Sequence, residues 1–413
     1  MKHKRLISGI SVILFVLVSN IVIVNAVEFY PVMNLKFLTG QYFFEKDAGS
    51  IGGNLNLDII PAMKFSNKFS LLPALYMEYR GVKDVTELVG GGTLFQQSGN
   101  TTLSVKPIIS LSETTKLRFK VGYGQQLYKE TKDEEWGKGL FDYNKGTFGI
   151  EYETKSVGSK LIVGADTYSL DFKNYQSLIT TKYTTVISTS ESKELGSVGT
   201  NVLNFTATEI YGQGSKAISD KMMLSYFVNY SMQNYADQTV IDEAGKYTAA
   251  KRADNILYLT VSPTIANKPT GPVNIFTGFG ISAILYNSNQ NHWDAKATKY
   301  IPKYYDYWQL NLTPSMTYKI NTIPLTLSAM LDYSLRQYAE RLKQNSKGEY
   351  PYTDRINITK TNLVVNVSYP LGEKLNLLFQ PSYLVSSSNM EYETYYKYNY
   401  TTMNYFLGIT WEY

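Results

Sequence analysis

From about residue 30 onward the apolar residues of this chain fall at every second position. That period constrains the fold more than any other property of the sequence, because side chains two apart share one face of a strand. The last segment is the plainest case. Met403, Tyr405, Leu407, Ile409, Trp411 and Tyr413 fall on one face, and Thr402, Asn404, Phe406, Gly408, Thr410 and Glu412 on the other. Leu375, Leu377, Phe379, Pro381, Tyr383 and Val385 repeat the pattern, as do Leu325 to Leu335 and Trp308 to Tyr318.

The connections alternate as well. Short ones lie at Ser66 to Lys68, Ser112 to Thr115, Ser156 to Ser159, Ser219 to Lys221, Asn267 to Gly271, Asn321 to Ile323 and Pro370 to Glu373. Long ones lie around 46–52, 82–100, 130–145, 173–202, 236–254, 288–305, 341–358 and 389–399. The series predicts an all-β chain, a transmembrane antiparallel up-and-down β-barrel of about 16 strands, with 14 or 18 as the alternatives that weak strand boundaries allow. An even count puts both ends of the barrel on the side of the short turns. A soluble sandwich also alternates, but it crowds its outer face with Lys and Glu. Here the apolar face is free of charge on nearly every strand, as lipid demands: Lys or Arg at mid-bilayer costs about 2–4 kcal/mol. Closure also removes strand edges that lipid cannot satisfy.

Before the barrel, Lys2, Lys4 and Arg5 precede an apolar run from Leu6 to Val24, and Val24-Asn25-Ala26 reads as a small-residue cleavage site. The expected division is a signal peptide over 1–26 and a barrel over 27–413. Removing the leader takes the formal net charge from +5 to about +2. A near-neutral mature chain gives no electrostatic case for nucleic acid.

Composition closes off several chemistries. There is no Cys, which excludes disulfides, thiolate metal sites and Cys nucleophiles. The two His are His3 and His292, too few for a histidine metal centre. His292 lies two residues from Asp294 on a long connection and is read as a solvated loop histidine, since no second element of a triad is visible. No phosphate loop, dinucleotide Gly pattern or metal-ligand spacing occurs. The expectation is therefore no enzyme, no cofactor and no metal.

The end of the chain resembles the C-terminal signal of bacterial outer-membrane β-barrels, a terminal aromatic preceded by apolar residues at alternate positions. It is carried here by Tyr405, Leu407, Ile409, Trp411 and Tyr413, with Tyr in place of the commoner terminal Phe. The resemblance implies recognition by the barrel-assembly machinery, an outer-membrane location in a Gram-negative-type bacterium, contact with outer-membrane lipid and lipopolysaccharide, and a homo-oligomer as one option. Residues 30–413 together look like a porin-type barrel. The third outer loop of general porins resembles Asp133 to Tyr143 only in its order along the chain.

One parity per strand gives the inward candidates. Basic ones are Lys36, Lys64, Arg80, Lys106, Arg118, Lys120, Lys319 and Arg336; acidic ones are Asp58, Glu78, Glu151, Glu153, Asp166, Asp332 and Glu412. Lys106, Arg118 and Lys120 fall on two adjacent strands, and Glu151, Glu153 and Asp166 on the next two. Opposed across a pore, such groups set up a transverse field; side by side, they pair within the wall. The strand around 203–216 is ambiguous, because Glu209 shares its parity with Phe205 and Ala207. Pro61, Pro73, Pro107, Pro263, Pro314 and Pro381 all share the lipid-facing parity, and each should loosen one strand pairing. The Tyr clusters at 300–308 and 392–400 read best as an aromatic girdle. The Thr- and Ser-rich stretch within 174–202 extends the strands or folds inward as a partial plug.

The expected function is passive diffusion of small hydrophilic solutes through a water-filled lumen. A channel for hydrophobic compounds, resembling fatty-acid transporters, and a surface barrel such as an adhesin are the alternatives.

Overall fold

The computed structural model describes residues 27–47, 49–88, 90–175, 201–267, 273–294 and 297–413. The expected leader, most of the 174–202 connection and most of the Asn267 to Gly271 turn lie outside them. In chain order the strands are β1 (Glu28–Phe44), β2 (Ser50–Lys64), β3 (Phe69–Arg80), β4 (Asp84–Glu87), β5 (Gly92–Phe95), β6 (Gln97–Ser110), β7 (Thr115–Lys129), β8 (Tyr143–Ser156), β9 (Ser159–Asp171), β10 (Phe205–Ala217), β11 (Met222–Ile241), β12 (Tyr247–Asn267), β13 (Val273–Ser288), β14 (His292–Asp294), β15 (Lys299–Ile301), β16 (Tyr307–Ile320), β17 (Leu325–Leu342), β18 (Arg355–Pro370), β19 (Leu375–Ser388) and β20 (Tyr400–Glu412). Sixteen of them close into one antiparallel barrel. The other four form two small hairpins, β4–β5 and β14–β15, inside long connections.

The seam is β1 against β20, in register from Asn34↔Glu412 to Phe44↔Thr402. It extends to the last residue: Tyr413 N–H donates to Met33 O (2.8 Å) and Met33 N–H donates to Tyr413 O (3.0 Å). Every barrel strand thus has two neighbours and no edge of the barrel is left unpaired, which is what a hydrocarbon surrounding requires.

Register carries one face around the ring. Asp58 on β2 stands opposite Asn34 on β1 and Tyr76 on β3, and Arg118 on β7 stands opposite Glu151 on β8. The opposite parity points outward and is apolar: Leu103 is 55% exposed, Val163 46% and Leu407 52%. Outward charges in the wall strands sit at strand ends, as do Lys216, Lys251 and Arg355. A broad apolar belt left in water would cost about 25 cal/mol per Å². With the charge-free middle of the belt, this identifies the outer face as the lipid face.

The prolines leave a clear mark. The β2–β3 ladder skips from Ile59↔Leu75 to Met63↔Leu71, the gap where Pro61 and Pro73 face one another. The ladders also skip at Pro107 (β6–β7), Pro263 (β12–β13), Pro314 (β16–β17) and Pro381 (β18–β19). Register is the same on either side of each gap, so a missing donor loosens the ladder locally without inserting a bulge.

The apolar core sits inside the barrel at the long-connection end. One cluster joins Phe95, Tyr128, Phe141, Phe172, Val202 and Leu203. A second joins Tyr338, Ile356, Ile358, Met390 and Tyr398. Both place connection residues against the upper inner wall, so this mouth is filled by its own loops.

Candidate functional site: the lumen and its crossing loop

Register puts the inward candidates of the sequence on one face of the ring. Lys106, Arg118, Lys120, Glu151, Glu153 and Asp166 lie on β6 to β9, and the two signs are neighbours on one wall rather than opposed across the lumen. Glu151 takes Arg118 (3.4 Å) and Lys106 (3.8 Å). Glu153, fully buried, takes Arg118, Lys160 (3.4 Å) and Lys155 (3.5 Å). Lys120 pairs with Asp166. Tyr211 on β10 closes the group by donating to Glu151 Oε1 (3.0 Å) and Asp166 Oδ1 (3.4 Å). Three carboxylates buried in this way are tolerable only because each has a cation and further donors at hand.

The ambiguous strand β10 resolves on the same wall. Glu209 stands opposite Asp166 and so faces inward, with Tyr168 donating to it at 3.1 Å. Its parity mates Phe205 and Ala207 also face inward, but near the filled mouth, where apolar groups find a core. Asp332 and Arg336 face inward on β17, away from this wall.

What crosses the lumen is the second long connection, 81–96, not the third. It leaves β3, and its Glu87 reaches Arg336 on β17 and Lys360 on β18 (3.1 Å). β3 and β18 are five strands apart by the shorter way round the ring of sixteen. Arg336 is itself held by Gln309 (2.8 Å) and lies over the Tyr307 ring at 4.1 Å. On the way across, Val85 packs with Phe44 and Tyr400. The return passes through Gly90, Gly91 and Gly92 and ends with Phe95 stacked on Tyr128, centroids 4.3 Å apart. The three glycines are a packing requirement. Gly90 has φ +84°, and a Cβ on Gly91 would lie 2.4 Å from the Tyr396 ring. The 130–142 connection, which shares its place in the order with the porin third loop, instead contributes Phe141 to the mouth cluster.

A buried cation on the same strand as Arg336 holds the returning part of the loop. Arg341, 1% exposed, donates to Gly90 O (2.5 Å) and to the Tyr398 hydroxyl, and lies over Tyr304 (4.4 Å) and Tyr338 (5.0 Å). Lys397 N–H donates to Gly92 O (2.8 Å). Arg252 and Asp254, also buried, pair at 2.7 Å, with Arg252 over Tyr235 and Tyr305. These contacts correct the girdle reading for most of the two Tyr clusters. Tyr304, Tyr305, Tyr307, Tyr396, Tyr398 and Tyr400 are drawn into the mouth by cations and by one another; Trp308 faces outward, 40% exposed.

His292 is half-buried rather than fully solvated. Its ring packs on Tyr304 at 4.4 Å, and burial, reinforced by Arg341, lowers its pKa while Asp294 opposes the shift. Asp294 Oδ2 accepts instead from the Tyr350 hydroxyl (2.9 Å). The crowding of the mouth alone would raise the carboxyl of Glu87, but Arg336 and Lys360 outweigh it and hold it down at about 2.

The wall beyond β10 is of a different kind. Between Asp254 near the mouth and Lys319 at the short-turn end, the inward positions of β11, β12, β13 and β16 carry no charge. Ser225, Asn229, Thr260, Ser282, Asn311 and Thr313 are typical of them.

No protein-family model matches this sequence, and no curated protein does. Solved structures do resemble its fold. A trimer form of OmpT, an outer membrane protein of Vibrio cholerae, is 11% identical and matches 94% of this chain and all of that one, TM-score 0.47. OccAB3 of Acinetobacter baumannii is 7% identical over 94% of this chain and all of that one, TM-score 0.47. OccD3 of Pseudomonas aeruginosa is 9% identical over 92% of this chain and 91% of that one, TM-score 0.45. In architecture the chain is a closed antiparallel β-barrel with an apolar outer belt. Its sixteen-strand closure rests on its own ladders, from β1–β2 round to β1–β20.

Proposed function

We propose that the chain is an outer-membrane channel through which small hydrophilic solutes diffuse, with the 81–96 loop as its constriction. The observation that carries this reading is the cross-lumen attachment of Glu87 to Arg336 and Lys360. Apolar packing holds the flanks of the loop, at Val85 and Phe95, while Glu87 at its tip is held by ion pairs within a lumen of charges, hydroxyls and amides, the lining that water and polar solutes require. No catalytic residue is involved: width, charge and loop position sort the solutes. The same polar lining counts against a path for hydrophobic compounds.

Purified protein refolded into a planar bilayer is expected to give discrete ion-conducting steps. Replacing 82–95 by a short turn is expected to enlarge those steps while the barrel still migrates as a folded, heat-modifiable species. Steps of unchanged size would remove the loop as the constriction. A wild-type barrel that never conducts would remove the channel reading and favour a surface role for the loops.

A further inference from the structure

A recess of about 390 Å³ spans β9 to β12, where the ion-paired wall meets the uncharged one. Strand register arranges its polar lining in two rows. Gln213, Phe227 and Thr260 stand side by side in one; Ser215, Ser225 and Ser262 stand side by side in the next. With neighbouring strands ~4.8 Å apart and same-face residues ~6.8 Å apart, the array is ~10 Å wide and ~7 Å tall. An aromatic ring therefore sits amid an amide and four hydroxyls. Thr260 shares a hydrogen bond with Ser282 (2.9 Å), while Gln213, Ser215, Ser225 and Ser262 have no such side-chain partner among the described residues. One row further toward the mouth, Asn229 faces inward with its Oδ1 buried and accepting nothing. Phe227 lies below the loop-filled mouth and touches one other ring, Tyr258, at 5.7 Å. Lys160 lines the edge of the recess, but its charge is engaged by Glu153 at 3.4 Å.

We propose that this recess is a subsite for neutral polyhydroxylated solutes, the saccharide class. A sugar ring has an apolar C–H face and a rim of hydroxyls that both donate and accept. Phe227 takes the face, and the flanking amide and hydroxyls take the rim. Neutral donors and acceptors on both sides suit a ligand that offers both, and without a free charge nothing in the array favours an ion. The inference rests on the channel reading, since the solute must enter the lumen to reach the recess.

The test uses the full-length protein in a planar bilayer with maltotriose as the probe, added from the side of the short turns. Concentration-dependent interruptions of the ion current are expected. Phe227→Ala should weaken this block by roughly three- to tenfold while leaving the unblocked current in place. Ser225→Ala with Ser262→Ala, which removes two hydroxyls and little bulk, should weaken it as well. Maltotriose without effect on an otherwise conducting channel overturns the subsite and leaves the channel reading standing. So does block that survives Phe227→Ala, or stronger block by gluconate than by glucose, which would give the recess to Lys160 and anions. A wild-type barrel with no current fails the channel reading instead. Isothermal titration of maltotriose into the detergent-solubilised protein then judges the recess by itself, and absence of binding overturns it.

Discussion

At the scale of single residues, the side chain on which the lumen's shape most depends is Glu87. It holds the loop tip through two cations on a distant part of the wall, Arg336 and Lys360. Glu87→Gln removes both ionic contacts and leaves two cations without their counter-charge. A hydrogen bond to a charged group is worth about 1.5–3 kcal/mol, so losing one should populate the detached loop roughly ten- to a hundredfold more. Single-channel records of Glu87→Gln should therefore flicker between two levels where the wild type holds one; steady records would remove the latch. The pH dependence has a definite sign. The carboxyl of Glu87 is depressed from 4.5 to about 2, so the latch is fully present above the ordinary carboxylate pKa. It is lost only as pH falls from there toward 2. Glu87 thus contributes nothing to any change between pH 8 and 5, and wild-type records near pH 3 should begin to resemble those of Glu87→Gln. Gly91→Val attacks the same crossing by bulk, since its Cβ meets the Tyr396 ring. It should likewise free the loop without disturbing the wall.

At the scale of elements, β20 has two duties, because the strand carrying the terminal aromatic pattern also closes the ring. Trp411 stands opposite Leu35 on β1 and Leu375 on β19, and Tyr413 makes the last two seam hydrogen bonds. Deleting Trp411 to Tyr413 should reduce folded, heat-modifiable protein in the outer membrane several-fold, through loss of the assembly pattern and of the seam together. Tyr413→Ser separates these, since it keeps the backbone bonds and removes only the ring. Normal abundance of the deletion variant by heat-shift gel would count against both duties. A Cys scan tests the faces themselves: Asn311, Asp332, Gln380 and Asn404 should accept a membrane-impermeant thiol reagent, and Leu327, Leu331, Leu377 and Leu407 should resist it. These faces were legible in the sequence because parity is local; five or six residues suffice to display it, and lipid enforces it on every strand. The crossing loop was not, because its partners are remote: Glu87 and Arg336 are separated by 249 positions. The one local trace of it was the run Gly90-Gly91-Gly92. The mouth tyrosines misled for a related reason. Tyr suits a lipid interface and a cation-rich interior equally, and parity has no meaning once the chain leaves the strand.

At the scale of the whole molecule, ion preference follows from how lumen charges are paired rather than from how many there are. On the wall from β6 to β9, Glu151, Glu153 and Asp166 are each taken up by cations, among them Lys106, Arg118, Lys120, Lys155 and Lys160, and the wall over β11 to β16 adds little. At the crossing, Glu87 offsets one of its two cations. The wild-type channel should accordingly discriminate weakly between small anions and cations. Arg118→Gln with Lys120→Gln shifts the pairing without dismantling the wall. Glu153 keeps Lys155 and Lys160, and Asp166 keeps the Tyr211 hydroxyl. The wall then carries two fewer positive charges against the same three carboxylates. Each charge removed is worth about 1 kcal/mol to an ion passing at 4 Å in a water-like medium, roughly fivefold in occupancy, and more where the dielectric is lower. Reversal potentials under a salt gradient should move toward cation selectivity, and the shift should shrink as salt rises and screens the wall. A double variant that folds, conducts and keeps the wild-type reversal potential would mean that ions pass beyond the reach of this wall. The current would then run along the uncharged side, over β11 to β16.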